Sequence, residues 1–145
     1  MIFERNVTTD WEGGLMDGTG VAKAGTGAFS LPVSFPSRIG EPAGKTSPEE
    51  LMAAAHAACF AMALNAALGK KGAKAKKTHV TATVSADKGD TGIKIVSSKL
   101  KVLVEGLEGM SPAEFSTFVK EADKGCPVSN AYRGTMQIEV EGSAT

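Results

Sequence analysis

Residues 47–69 read SPEELMAAAHAACFAMALNAALG and predict one long helix. Ser47 is a typical N-cap, Pro48 suits the first helical position, and Glu50 can complete a capping box. Gly69 is a typical stop at the far end. The residues between these signals are apolar on nearly every side, which is typical of a helix that is covered on most of its surface. A chain of 145 residues can hardly cover such a helix alone, so the sequence favours a partner subunit.

Alternation of apolar and polar residues predicts strands downstream of this helix. Residues 80–86 and 93–104 alternate in this way and are joined by a turn at 87–92, which indicates a hairpin. The run Ser111-Pro112-Ala113-Glu114 repeats the helix-start signal, and a last strand is predicted around residues 136–140.

The upstream part is rich in glycine and threonine, and its short apolar clusters suggest two or three short strands within residues 2–36. Residues 37–46 hold Gly40, Pro42 and Gly44 and are predicted to form a loop that carries Arg38. The order of strands, helix, hairpin, helix and strand predicts a single α+β domain over residues 1–145 with mostly antiparallel pairing.

The charge balance of the chain argues against a nucleic-acid partner. Lys plus Arg and Asp plus Glu number 16 each, so nothing favours neutralisation of a phosphate backbone. Residues 51–68 are interrupted by His56 and Asn65 and fall short of about 20 strongly apolar residues, so we expect no membrane span. The chain starts without the pattern of a signal peptide, from which we expect a cytoplasmic protein with reduced thiols.

A cysteine that attacks an O–O bond does so as a thiolate and needs a lowered pKa. Burial in the predicted helix would instead raise the pKa of Cys59, whereas a guanidinium at about 4 Å would favour the thiolate by roughly 4 kcal/mol, or about three pKa units. Glu49 lies on the same helix face as Cys59, about 80° around and roughly 15 Å along the axis, and could hold Arg38 so that its fork points to the sulfur. The alternative is that Glu49 only complements the helix dipole and Arg38 is a solvated charge.

Cys126 lies in Gly125-Cys126-Pro127-Val128-Ser129, where the glycine ends one helix and the proline suits the start of the next. Cys126 is therefore predicted near an N-cap, where free backbone N–H groups stabilise a thiolate. It could attack a sulfenic acid on Cys59 and close a disulfide. The alternative is that both cysteines fill core space as small apolar residues.

Three strings together resemble the OsmC/Ohr family, the osmotically induced protein C and organic hydroperoxide resistance proteins. They are His56-Ala57-Ala58-Cys59-Phe60, the preceding Ser47-Pro48-Glu49-Glu50-Leu51, and the downstream Gly125-Cys126-Pro127-Val128-Ser129. The likeness covers nearly the whole chain. His56 favours the OsmC branch, because the Ohr branch tends to carry an aromatic residue at that place.

The resemblance implies a thiol-dependent peroxidase of oxidative and osmotic stress defence that reduces organic hydroperoxides to alcohols. Cys59 would attack the peroxide, Cys126 would resolve the sulfenic acid as a disulfide, and Arg38 with Glu49 would hold the thiolate. The resemblance also implies antiparallel sheets around a long buried central helix and an intertwined homodimer with each active site lined by both subunits. The external reductant would be a lipoyl-type dithiol, and no metal, haem or flavin cofactor is expected.

Some helix residues have a less specific interpretation. Leu51, Met52, Phe60 and Met62 could wall an apolar pocket for the organic group of the peroxide, although such residues at helical spacing are more often plain core. His56 lies one turn before Cys59 and could protonate the leaving alkoxide, with packing as its alternative role.

Two other classes of protein remain as alternatives. A zinc protein would use the two histidines and two cysteines, but their spacing contains no C-x-x-C or H-x-x-x-H pair. A noncatalytic stress protein would bind an apolar ligand in a dimer groove, with cysteines that only pack.

Overall fold

The computed structural model describes all residues, Met1–Thr145, as an α+β fold with two three-stranded sheets. The elements in chain order are β1 (Val7–Glu12), β2 (Thr19–Ala24), β3 (Ser30–Val33), α1 (Phe35–Ile39), α2 (Pro48–Lys70), β4 (Lys77–Gly89), β5 (Gly92–Glu105), α3 (Pro112–Ala122), α4 (Pro127–Tyr132) and β6 (Gln137–Ala144). The chain divides into two compact units, Met1–Leu51 and Met52–Thr145. The single domain that the sequence predicts over residues 1–145 stays a prediction.

The first unit is built on an antiparallel sheet in the order β1-β2-β3, so the predicted short strands are present. Helix α1 follows where the sequence predicts only a loop. Ser34 caps this helix by accepting a hydrogen bond from the backbone N–H of Ser37 at 3.3 Å, and Pro36 suits the first turn. Arg38 therefore lies in the last turn of a short helix, and the loop begins only at Gly40.

Helix α2 begins at the predicted proline and ends one residue beyond the predicted glycine. The Ser47 hydroxyl accepts a hydrogen bond from the backbone N–H of Glu50 at 3.1 Å. The Glu50 carboxylate does not return this bond to Ser47 but accepts one from the Thr46 hydroxyl at 2.8 Å. Only half of the predicted capping box therefore forms, and the Glu50 carboxylate binds the Thr46 hydroxyl in place of the Ser47 backbone.

One face of α2 is buried, through His56, Phe60, Leu64 and Leu68 at four-residue spacing. The other side carries alanines and Met62, whose exposure is 70%. By length and composition alone α2 could cross a membrane, with 22% of that stretch buried; a core helix of a globular protein passes the same test. A single chain thus covers one stripe of α2, less than the cover on most sides that its apolar sequence predicts.

The second unit contains the predicted hairpin of β4 and β5, with a register shift between Ser85 and Ala86. Strand β6 pairs with β5 in parallel, and the connection that this requires is supplied by α3, a 3-10 turn at Asp123–Gly125, and α4. Helix α3 starts with the complete capping box that the sequence predicts, between Ser111 and Glu114. The core of this unit joins α2, β5 and α3 through Phe60, Leu64, Leu68, Leu100, Val102, Val104, Phe115, Val119 and Cys126.

Candidate active site

Arg38 and Glu49, both in the first unit, form a bidentate pair. Arg38 Nη2 lies 2.7 Å from Glu49 Oε1, and Arg38 Nε lies 3.1 Å from each carboxylate oxygen. The hydrogen bonds from Arg38 lower the pKa of the Glu49 carboxyl, although partial burial acts in the opposite direction. The structure therefore brings these two predicted site residues together and keeps the carboxyl ionised at neutral pH.

An apolar cavity of about 290 Å³ lies in the same unit and includes Arg38 in its wall. The rest of its lining is Thr9, Trp11, Leu15, Ala22, Val33, Ser34, Phe35, Pro48 and Leu51. A mostly apolar cavity with one cation in its wall can accept a molecule with an apolar body and a polar or anionic end. Of the pocket residues predicted on α2, Leu51 lines this cavity, whereas Phe60 is fully buried in the core.

Cys126, in the second unit, is the N-cap of α4, as the sequence predicts. Its Sγ accepts a hydrogen bond from the backbone N–H of Ser129 at 3.4 Å. Its own backbone N–H donates to the carbonyl of Asp123 at 3.1 Å. The side chain is fully buried, so its sulfur is held in a defined position at the start of the helix.

Cys59 lies beside Cys126, and both cysteines are free thiols. Burial is the largest influence on Cys59 and raises its pKa; the backbone N–H of Val128 opposes this effect, and the Cys126 side chain raises the pKa further. None of these groups is a cation. A thiolate at Cys59 near neutral pH therefore depends on a further positive charge, for which Arg38 stays the prediction.

His56 is completely buried, with both ring nitrogens hydrogen-bonded to serines. Its Nδ1 lies 2.6 Å from Ser98 Oγ, and its Nε2 lies 2.7 Å from Ser129 Oγ. Burial lowers the pKa of His56 more than the opposing effect of Asp123 raises it, with Arg133 also lowering it, so the ring is neutral at neutral pH. Neither nitrogen is left to protonate an alkoxide, which leaves the packing interpretation of this residue as the better one.

The sequence alone did not predict that Ser98 and Ser129 bind the ring of His56, or that Tyr132 packs against it. Ser98 occupies an inward position in the alternation of β5, next to Leu100 on the same face, and a serine in an apolar register is a signal of a buried polar partner. Ser129 is the third residue after the Cys126 cap, where its backbone N–H must face the capping atom. Tyr132 had no comparable signal.

The positions of the His, Cys, Asp and Glu side chains do not support the zinc alternative. No group of three or more His, Cys, Asp or Glu side chains is placed to hold a metal ion. His56 is engaged by two serines, and His79 lies apart from it, 3.4 Å from Glu105 Oε1.

Comparison with known proteins gives consistent matches along the chain. The family described as OsmC-like protein matches residues 40–141. Peroxiredoxin OsmC of Escherichia coli (strain K12) is 34% identical over 142 residues, which cover 97% of this chain and 98% of that protein. The organic hydroperoxide resistance protein of Xanthomonas axonopodis pv. citri (strain 306) is 34% identical over 115 residues, or 77% of each chain.

Solved structures agree with the sequence matches. The crystal structure of an organic hydroperoxide resistance protein OsmC from Legionella pneumophila superimposes with a TM-score of 0.74 at 27% identity, covering 95% of this chain and 96% of that one. The organic hydroperoxide resistance protein OhrB of Bacillus subtilis gives a TM-score of 0.72 at 25% identity, covering 95% and 98%. On the strength of the family match and of relatives similar over nearly their full length, this chain belongs to the OsmC-like family.

Proposed function

We propose that this protein is a thiol-dependent peroxidase that reduces organic hydroperoxides, with Cys59 as the attacking thiolate and Cys126 as the resolving thiol. The observation that carries the proposal is the placement of the two thiols side by side in one unit, each facing a backbone N–H at the start of α4. Relatives named peroxiredoxin and organic hydroperoxide resistance protein support the same chemistry.

The proposed cycle has three steps. The Cys59 thiolate attacks one peroxide oxygen, the O–O bond breaks, and the alkoxide takes a proton to leave as an alcohol, with Cys59 as sulfenic acid. The Cys126 sulfur then attacks the sulfur of that sulfenic acid, the S–O bond breaks, and water leaves as the disulfide forms. An external dithiol reduces the disulfide by exchange and is itself oxidised to a disulfide.

We assign Arg38 the role of the cation that keeps Cys59 ionised, with Glu49 holding the guanidinium fork in place. The bidentate geometry supports this role, because a gripped guanidinium can present its remaining N–H groups to an anion. The assignment also meets a need of Cys59, because burial and the adjacent Cys126 leave its pKa raised.

We propose further that the protein acts as an intertwined homodimer with each active site lined by both subunits. Large apolar side chains left uncovered by the single chain support this, including Phe3 at 72% and Met62 at 70% exposure. A chain rarely leaves so much apolar surface open unless another molecule covers it. The outward alanines of α2 would let a second helix approach closely.

The apolar cavity supports an organic hydroperoxide as the substrate. An alkyl or aryl group could be buried against its apolar wall, which includes Trp11, Leu15, Phe35 and Leu51. Hydrogen peroxide has no apolar group that could gain from such burial. A lipoyl-type dithiol is the proposed reductant. The cytoplasm, where thiols are kept reduced, would suit this cycle.

Steady-state consumption of cumene hydroperoxide with a dithiol reductant tests the proposal in three proteins: wild type, Cys59→Ser and Cys126→Ser. Since the chain has two cysteines, each variant keeps a single thiol and serves as the control for the other. We expect Cys59→Ser to lose activity and to keep its thiol titre after peroxide is added. Cys126→Ser should react once and accumulate a sulfenic acid that dimedone traps. Equal activity in all three proteins would rule the mechanism out and favour the noncatalytic alternative.

A further inference from the structure

His56 joins the helix that carries Cys59 to the helix that Cys126 caps. It projects from α2, and its ring nitrogens meet Ser98 on β5 at 2.6 Å and Ser129 on α4 at 2.7 Å. All three residues have no solvent exposure. In the neutral ring one nitrogen donates and the other accepts, and each serine hydroxyl can take the complementary role. Because water cannot replace these bonds, they fix the position of α4 on α2 strongly.

Tyr132 makes a further hydrogen bond between α4 and α2. The hydroxyl of Tyr132 donates to the carbonyl of Met52 at 3.1 Å. The Tyr132 ring also packs edge-on against His56, with centroids 5.3 Å apart and planes at 72°. Met52 and His56 are one turn apart on α2, and Ser129 and Tyr132 are one turn apart on α4. Two contacts at this spacing hold α4 against sliding and against rotation.

This attachment lies close to both cysteines along the chain. Cys59 follows His56 by three residues on α2, and Cys126 precedes Ser129 by three residues at the cap of α4. The backbone N–H of Val128 faces Cys59, while that of Ser129 donates to Cys126 at 3.4 Å. A shift of α4 along α2 would therefore change the distance between the thiols and both of these contacts at once.

We propose that His56 is a positioning residue for disulfide formation: through Ser129 it holds the start of α4 so that Cys126 can attack a sulfenic acid on Cys59. This inference rests on the proposed function. His56 exchanges no proton in the step. The Cys126 sulfur forms the S–S bond, the S–O bond of the sulfenic acid breaks, and the hydroxyl leaves as water with the thiol proton.

Ser98 and Ser129 provide a matched pair for the test, because each is a buried serine bonded to the same ring at nearly the same distance. Ser129→Ala and Ser98→Ala should lower thermal stability to a similar degree, since each leaves one imidazole nitrogen unpaired. Only Ser129 lies on α4. After one equivalent of cumene hydroperoxide, Ser129→Ala should form the disulfide at least about tenfold more slowly than wild type, as expected for a misplaced reacting group. Ser98→Ala should slow it by less than about twofold.

Sulfenic acid formation, followed by dimedone trapping in the same reactions, should stay within about twofold of wild type in both variants. Equal slowing of disulfide formation in Ser98→Ala and Ser129→Ala would overturn the proposal, because it would reduce His56 to a generic core contact. No slowing in either variant would overturn it as well.

Two further measurements keep the result interpretable. If Ser129→Ala does not fold, Tyr132→Phe can be used, because it removes the hydrogen bond from Tyr132 to Met52 that also joins α4 to α2. It should slow disulfide formation without slowing sulfenic acid formation; an unchanged rate of disulfide formation would then count against the proposal. Equilibration of the thiols in glutathione buffers measures the stability of the Cys59–Cys126 disulfide without any peroxide. There Ser129→Ala should shift the equilibrium towards the dithiol relative to Ser98→Ala, and an equal shift in both would contradict the role. If wild type forms the disulfide in glutathione but not with peroxide, the proposed peroxidase function fails while the positioning role is still judged by this shift.

Discussion

Arg38 donates hydrogen bonds to both carboxylate oxygens of Glu49 through Nε and Nη2, at distances of 2.7 to 3.1 Å. The two side chains are 27% and 15% exposed, so the pair is largely withdrawn from water. The Nη1 group takes no part in this pair and can face an anion. This geometry is typical of an arginine that is fixed by one partner in order to bind another.

Arg38→Met should raise the pKa of Cys59 and lower the second-order rate constant for cumene hydroperoxide at neutral pH by at least about tenfold. The physical reason is that a guanidinium near a thiolate favours the ionised form by several kcal/mol before desolvation is subtracted. The rate of Cys59 alkylation as a function of pH measures the first effect, in a Cys126→Ser background. Arg5→Met is the matched control, since Arg5 is exposed, donates a hydrogen bond to the adjacent Glu4 carbonyl and lies over the Phe3 ring. Equal alkylation profiles in the two variants would exclude Arg38 as the activating cation.

Glu49→Gln should flatten the acid side of the stability profile. The pKa of Glu49 in the folded protein lies below its ordinary value of 4.5 because Arg38 donates to it. The unfolded chain therefore binds the proton first, and the stabilisation is fully present above about pH 4.5 and is lost as the pH falls through the folded pKa. Urea unfolding across that range measures the slope. The wild-type slope should be the steeper one; parallel curves would mean that the ion pair does not couple to folding.

Met62→Asp should dissociate the proposed homodimer. A carboxylate in the middle of the exposed apolar side of α2 would have to be buried without a partner in any helix-to-helix interface. Sedimentation velocity at micromolar concentration measures the effect. Thr117→Asp, on the exposed surface of α3, is the control and should leave the sedimentation of the wild type unchanged. A dimer that survives Met62→Asp would place the interface elsewhere.

Leu15→Ser should change substrate preference and not general reactivity. Leu15 lines the same apolar cavity as Arg38, and its exposed side chain should contribute on the order of 1 kcal/mol of apolar contact with a bound organic group. We expect kcat/KM to fall about fivefold for cumene hydroperoxide and to stay the same for hydrogen peroxide. Met16→Ser is the neighbouring control, since Met16 is equally exposed but lies outside the cavity lining. A proportional loss of kcat/KM with both peroxides would show that the cavity does not bind the organic group of the substrate.

The sequence predicted those elements whose signals are local. The start and end of α2, the capping box of α3 and the N-cap position of Cys126 all follow from a few adjacent residues. Helix α1 escaped prediction because the nearby Gly40, Pro42 and Gly44 outweighed a short capping signal at Ser34. The contacts of His56 escaped because its serine partners lie 42 and 73 residues away, and no periodicity of the chain encodes such pairings.

Mass spectrometry of the reduced protein after one equivalent of cumene hydroperoxide shows whether Cys59 and Cys126 pass from dithiol to disulfide through a sulfenic acid. We expect one intramolecular disulfide linking the peptides of Cys59 and Cys126, formed as one equivalent of alcohol is released. In Cys126→Ser we expect a trappable sulfenic acid on Cys59. Alcohol release without that linkage, or intact thiols in the presence of peroxide, would contradict this mechanism.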